Sequence, residues 1–219
     1  MLKFAPEKNP FRTETTKNRV KSMGPSIRSF IAIDLSDLVR RQLEALAQEL
    51  RKCNAQVGWV RIEGIHLTLR FLGDVAPELI EEIKPALAGI ASQTAPIHIE
   101  PAGCGAFPTI KSPRVIWVGL RGQIGPLADL ARRVEAAMVS LGFKPEERPF
   151  KPHLTLGRVK GRQGLQNLQQ ILLAHGDFTA EPFDAAEVVL YKSELRPDGA
   201  RYTPLFKAPF SGRSAPADE

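Results

Sequence analysis

From residue 26 to residue 210 the hydrophobic pattern switches repeatedly between a period near 2 and a period near 3.6. RSFIAIDL (28–35) reads as a strand and DLVRRQLEALAQELRK (37–52) as an amphipathic helix. IHLTLRFLG (65–73) is a second strand and PELIEEIKPALAGIAS (77–92) a helix that contains Pro85. IHIEPAGCGAF (97–107) reads as a strand with a glycine-rich turn. The series then begins again. Strand RVIWVGL (114–120) precedes helix IGPLADLARRVEAAMVSLG (124–142), whose early Pro126 suits a first turn. Strand KPHLTLGRV (151–159), short helix LQNLQQILLAHG (165–176), strand AAEVVLYKSEL (185–195) and a last extended piece RYTPLFKAPF (201–210) follow. The mixture predicts an α+β fold.

The series is a repeat. Arg28 to Arg114 spans 86 residues, His66 to His153 spans 87, and the two helix starts at 37 and 124 are also 87 apart. The tetrapeptide HLTL occurs at 66–69 and again at 153–156. Alone it is only suggestive; its coincidence with matched strand and helix spacing argues for duplication. The expected architecture is two pseudosymmetric lobes, roughly 26–108 and 109–210, each an antiparallel or mixed sheet with packed helices. The closing residues cross back between lobes, and the site lies in the cleft between them.

Within a strand, side chains alternate between faces. Leu67 and Leu69, like Leu154 and Leu156, suit a lobe core, so His66 with Thr68 and His153 with Thr155 should face the cleft. Two opposed imidazoles with a hydroxyl beside each suit phosphoryl chemistry. A neutral imidazole can take a proton from an attacking oxygen while an imidazolium protonates the leaving oxygen, near the ordinary histidine pKa of about 6.5. The threonines can donate hydrogen bonds to non-bridging phosphate oxygens. A lone His–x–Thr is more often structural; two at symmetric positions reverse that judgement. A zinc site would need a third ligand, and nothing nearby has recurrent ligand spacing, so no metal is expected. His98, in a strand, and His175, at a helix end beside Gly176, read as structural.

The 219 residues carry a formal net charge of +6, with 43% hydrophobic and 25% charged residues, an ordinary globular composition. Two cysteines, Cys53 and Cys104, exclude a disulfide scaffold; both read as small residues, Cys104 with the option of lining the cleft. No apolar run reaches the ~18 residues needed to span a bilayer. Residues 1–25 hold a net +4 without periodicity and read as a disordered basic tail, with Met23 a candidate start of translation. Residues 211–219 read as a flexible end. The charge that bears on function is a net +4 band formed by Lys144, Arg148, Lys151, Arg158, Lys160 and Arg162 against Glu146 and Glu147. It reads either as a solvated rim or as a track for an anionic substrate running past the reacting phosphate. Arg70 shares the phase of His66 and Thr68 and should reach the cleft. Simple alternation puts Arg158 with the core leucines unless the chain bends at Gly157. Phe107 and Phe150 suit either base stacking or the core.

Four segments, RSFIAIDL (28–35), HLTLRFLGD (66–74), FKPHLTLGR (150–158) and LYKSELRPDGARYTPL (190–205), resemble those of the bacterial and archaeal RNA 2′,3′-cyclic phosphodiesterases, historically called 2′-5′ RNA ligases, of the two-histidine phosphoesterases. The resemblance covers residues 26–206. It implies a two-lobed α+β fold with the site between lobes and hydrolysis of an RNA 2′,3′-cyclic phosphate to a 2′-phosphate without cofactor. A weak, reversible 2′-5′ joining of tRNA halves is implied as well. His66 is then assigned as proton donor to the departing 3′ oxygen and His153 as proton acceptor from water. Thr68 and Thr155 hold the phosphate and Arg158 balances its charge. Arg70, Phe107, Phe150 and Lys151 are expected as further substrate contacts from strand phase, aromatic placement and charge, not from the resemblance. The expected protein is a cytoplasmic monomer acting on RNA ends, tRNA fragments among them, with no membrane contact. The alternatives are a phosphodiesterase for small cyclic nucleotides or ADP-ribose cyclic phosphate, and a non-catalytic RNA-end binding module.

Overall fold

A computed structural model describes residues 25–197 and 199–212; the basic tail up to residue 24, Met23, and residues 213–219 lie outside the described residues. The elements run β1 (Ile27–Ile33), α1 (Asp37–Arg51), β2 (Val57–Trp59), β3 (Leu67–Val75), α2 (Pro77–Ser92), β4 (Ile97–Thr109), β5 (Ser112–Gly122), α3 (Ile124–Ser140), β6 (His153–Val159), α4 (Leu165–Ala174), β7 (Phe183–Ala185), β8 (Glu187–Arg196) and β9 (Gly199–Pro209). Local chemistry sets several boundaries. Ser36 caps α1 by accepting from Val39 N at 3.3 Å. Pro77 opens α2, and Pro85 stays inside it. The segment expected to turn around Cys104 instead continues as strand β4, absorbing an extra residue at Gly103 in the left-handed region, φ 74°.

The fold is α+β, a curved antiparallel sheet with packed helices. The strands form one sheet in the order β7-β4-β5-β6-β3-β1-β8-β9, with β2 paired to β6. Chain halves and sheet halves therefore do not coincide: β4 pairs with β5, and β8 with β1. One face buries its alternate residues, Ile31, Ile33, Leu67, Ile116, Val118, Leu154 and Leu156, against the apolar sides of all four helices in a single cluster. That contact is the main stabilising term, at roughly 25 cal/mol per Å² of apolar surface removed from water. β1 is buried on its other face as well, where Phe30 and Ala32 join Val189 and Tyr191 in a second, smaller cluster with Tyr202 against it. Cys104 lies in the main core, only 6% exposed, where burial pushes its thiol pKa up to about 12; it does not line the cleft. Among the described residues no helix is long and apolar enough to cross a membrane.

Candidate active site

β3 and β6 meet at the sheet centre through a single antiparallel pair, Leu67 with Leu154. Carrying that register one residue each way sets His66 beside Thr155 and Thr68 beside His153. Because the two leucines are fully buried toward the helices, the four polar side chains fall on the opposite face. Each histidine is oriented in the same manner. His66 Nδ1 lies 2.9 Å from the Gly64 carbonyl and His153 Nδ1 lies 2.7 Å from the Lys151 carbonyl, in each case two residues upstream. A carbonyl only accepts, so Nδ1 carries a proton in both rings and Nε2 is left as the working nitrogen.

Their surroundings differ. His66 stacks on Phe30 with ring centroids 4.5 Å apart, and Tyr202 meets it edge-on at 5.2 Å. Tyr191 stacks behind Phe30 at 5.2 Å. The approach to His66 is pinned from α1, where Arg40 Nη1 donates to the carbonyls of Ile62 and Ile65 at 3.0 and 2.9 Å. Arg40 Nη2 pairs with Asp34 at 3.0 Å, and the Tyr191 hydroxyl donates to the other Asp34 oxygen at 2.6 Å. Burial in this aromatic setting lowers the His66 pKa to about 4, outweighing the Gly64 hydrogen bond and the Asp34 charge, both of which raise it. His153 has lighter cover: Phe107 meets it edge-on at 5.1 Å and rests in turn against Trp117 at 5.1 Å. Beside it opens a cavity of about 740 Å³, lined among others by Thr68, Phe107, Phe150, Lys151, His153 and Arg158.

The two arginines expected near the cleft are placed by a repeated irregularity. β1 pairs Ile31 with Arg70 and Ala32 with Thr68, skipping Leu69; β5 pairs Ile116 with Gly157 and Trp117 with Thr155, skipping Leu156. Each skipped leucine is a bulge that shifts the phase of the residues after it. Past Leu156, Arg158 returns to the face of His153 and lines the cavity; the break in phase falls at Leu156, one residue before the glycine where a bend was expected. Past Leu69 the same shift corrects the expectation for Arg70. It turns away from the dyad, 7% exposed, and its guanidinium bridges Glu135 of α3 at 3.0 Å and Glu146 at 3.5 Å while donating to the Lys144 carbonyl. Arg70 borders the cavity from the helix side and anchors the segment leading to His153. Phe71, 46% exposed, takes the cleft-face place that phase alone gave to Arg70.

Thr68 stands opposite Ala32 of β1, and Thr155 stands opposite Trp117 of β5, both half-buried. Phe107 and Phe150 both line the cavity while packing against the core or its neighbours. His98 pairs with Asp184 at 2.8 Å and His175 caps α4. Among the described residues no group of three or more His, Cys, Asp or Glu side chains is placed to hold a metal ion. Sequence reasoning missed Phe30, Tyr191, Tyr202, Asp34 and Arg40. The one available signal was the unbroken apolar run FIAI in β1, which needs an apolar partner on both faces.

The model of the LigT-like phosphoesterase family matches the chain twice, over residues 33–117 and again over 118–202. The chain belongs to the LigT-like phosphoesterases. One histidine of the pair falls in each matched segment of this LigT-like phosphoesterase, and the segments adjoin within β5. It is 33% identical over 179 residues to the RNA 2′,3′-cyclic phosphodiesterase of Methanothermobacter thermautotrophicus, covering 82% of this chain and 96% of the relative. It is 36% identical over 174 residues to the RNA 2′,3′-cyclic phosphodiesterase of Aeropyrum pernix, covering 78% and 98%. Among solved structures, the TT0787 protein of Thermus thermophilus superposes with a TM-score of 0.72 at 27% identity, over 86% of this chain and all of that one.

Proposed function

We propose that this protein is an RNA 2′,3′-cyclic phosphodiesterase in which the two His–x–Thr motifs carry out metal-independent acid–base catalysis. The observation that carries the reading is the Leu67–Leu154 register, by which His66 neighbours Thr155 and Thr68 neighbours His153 on one face of the sheet, each ring tethered through Nδ1. The names of the relatives supply the substrate class.

In the proposed reaction, water attacks the cyclic phosphorus and gives a proton to His153 Nε2. The bond from phosphorus to the 3′ oxygen breaks, and that oxygen takes the proton from His66 Nε2. The products are a 2′-phosphate and a free 3′ hydroxyl, and proton exchange with solvent resets the pair. Thr68 and Thr155 donate to the non-bridging oxygens, and Arg158 balances their charge. The low pKa of His66 is compatible with an acid role only once substrate is bound. A phosphate anion about 4 Å away contributes about 4 kcal/mol at an effective dielectric of 20, enough to raise the pKa by about 3 units and return it to the neutral range. The same low pKa favours a second reading, in which neutral His66 is the base and His153 the acid.

The proposed architecture is two pseudosymmetric lobes built from the repeats 26–108 and 109–210, with β4 and β8 each crossing to the other repeat's side of the sheet. Its support is the strand order, which reads alike from either end when β1, β3 and β4 are matched with β5, β6 and β8. Residue pairing agrees: Phe30 stands between Phe71 and Tyr191 as Val115 stands between Arg158 and Phe107. The enzyme is proposed to act as a cytoplasmic monomer on RNA ends, tRNA fragments among them, with 2′-5′ joining as a weak reverse reaction.

The test is incubation with an oligonucleotide ending in a 2′,3′-cyclic phosphate in the presence of EDTA, followed by identification of the phosphorylated hydroxyl. A 2′-phosphate is expected. A 3′-phosphate would refute the assigned leaving group, and unchanged substrate would favour an RNA-end binding module.

A further inference from the structure

The two sides of the β3–β6 seam are closed differently. Beyond Thr155, β2 lies along β6, pairing Val57 to Trp59 with Val159 to Gly157, and Val60 N donates to the Leu156 carbonyl at 2.8 Å. Beyond Thr68, among the described residues, no strand fills the matching gap between β3 and the segment 146–151; the cavity of about 740 Å³ opens there, above α3. Its walls are cationic in effect. The two acids among them, Glu135 and Glu146, are both held by buried Arg70, and Arg132 is paired with Asp129 at 2.6 Å. Arg148, Lys151 and Arg158 line the same cavity, and none of the three has an ion-pair partner among the described residues. Phe71, with the Arg28 guanidinium 4.6 Å over its ring, offers an exposed aromatic face beside them.

We infer that this cavity is a second-nucleotide subsite, in which Arg148 binds the phosphodiester one step 5′ of the cyclic phosphate. The inference rests on the cyclic-phosphodiesterase reading and adds to it a preference for RNA ends over mononucleotides. A nucleoside 2′,3′-cyclic phosphate carries one negative charge, which the dyad, Thr68, Thr155 and Arg158 engage. A dinucleotide brings a second charge about one nucleotide away, and the open side of the seam offers Arg148 and Lys151, which among the described residues have no ion-pair partner, to meet it. A charge-assisted hydrogen bond at this partly exposed position is enough for about a tenfold difference in binding. Arg148 is exposed, and among the described residues its side chain makes no hydrogen bond or ion pair, its backbone N–H donating locally to Glu146 at 3.3 Å, so replacing its side chain leaves the fold intact.

The experiment compares adenosine 2′,3′-cyclic phosphate with diadenylate ending in a 2′,3′-cyclic phosphate, in the wild type, Arg148→Ala and Arg148→Lys. Wild-type kcat/KM should favour the dinucleotide by about tenfold; Arg148→Ala should bring that ratio below about 2 through the dinucleotide KM, and Arg148→Lys should retain part of it. Raising salt should weaken dinucleotide use more steeply than mononucleotide use, by about 0.7 in log–log slope, and this excess should vanish in Arg148→Ala. A wild-type ratio near one, or an equal loss on both substrates in Arg148→Ala, would overturn the subsite and leave the cyclic-phosphodiesterase reading standing. Turnover of neither substrate by the wild type would overturn that reading and the subsite with it.

Discussion

His66 and His153 occupy matching places and live in different environments. Both follow a residue whose carbonyl holds Nδ1 from two positions upstream, both precede a threonine on the same face, and both strands carry a bulge at the fourth motif residue. Beneath this common frame the layers diverge. The position that is Phe30 under His66 is Val115 on the other side, and the flanking Tyr191 corresponds to Phe107. One ring is thereby enclosed among aromatics and neutral far below the usual histidine range; the other borders an open cavity. Gly157 and Arg70 show the same divergence one step further along. β2 packs so closely on Gly157 that a Cβ there would lie 2.7 Å from Val57 and 3.0 Å from Trp59, whereas at the matching place Arg70 has room to reach Glu135 and Glu146. In the proposed mechanism the repeated motif supplies a histidine at each end of the proton transfer, and the differing layer beneath distinguishes the two ends.

The largest effect expected is on turnover. Either His66→Ala or His153→Ala should lower hydrolysis of a cyclic-phosphate RNA end by about 100-fold to 10,000-fold, because a positioned proton-transfer partner is lost; near-wild-type rates in either would contradict the dyad. Next come the supporting aromatics. Phe30→Ala removes a buried ring, 3% exposed, and should cost about 3–5 kcal/mol in urea unfolding. Phe107→Ala, at a half-buried ring, should cost less, and equal losses would mean that the two layers do not differ as described.

The third contrast is in titration. The folded His66 pKa of about 4 lies below the ordinary value near 6.5, so the unfolded chain binds the extra proton between those limits. This contribution to stability is present above about pH 6.5 and is lost as pH falls through about 4, up to about 3 kcal/mol in all. Unfolding curves at pH 7.5 and 4.5 should show that part of the acid loss missing in His66→Gln, and an identical loss would contradict the burial of a neutral ring. The smallest effect is steric: Gly157→Ala should cost about 1–3 kcal/mol by pushing β2 away, read as a lowered urea midpoint.

Much of this was legible in the chain. The alternation of periods gave nearly every large element, the 87-residue spacing gave the duplication, and strand phase put both His–Thr pairs on the face away from the leucines. Phase misplaced Arg70 and left Arg158 open because a bulge is a property of a pair of strands: the skipped Leu69 and Leu156 are defined only against β1 and β5. The three-residue strands β2 and β7 carry too little periodicity to be read. The aromatic enclosure of His66 draws Tyr191 and Tyr202 from more than 120 residues away, a contact that no local pattern encodes.

The central claim is that two like motifs perform opposite proton transfers, His66 giving and His153 taking. It is tested most directly with an RNA end whose cyclic phosphate carries sulfur in place of the 3′ bridging oxygen, a leaving group that departs without a proton. On this substrate His66→Ala should recover to within a few-fold of the wild type while His153→Ala stays impaired by at least about 100-fold. Rescue of His153→Ala with no rescue of His66→Ala would contradict the assignment and exchange the two roles.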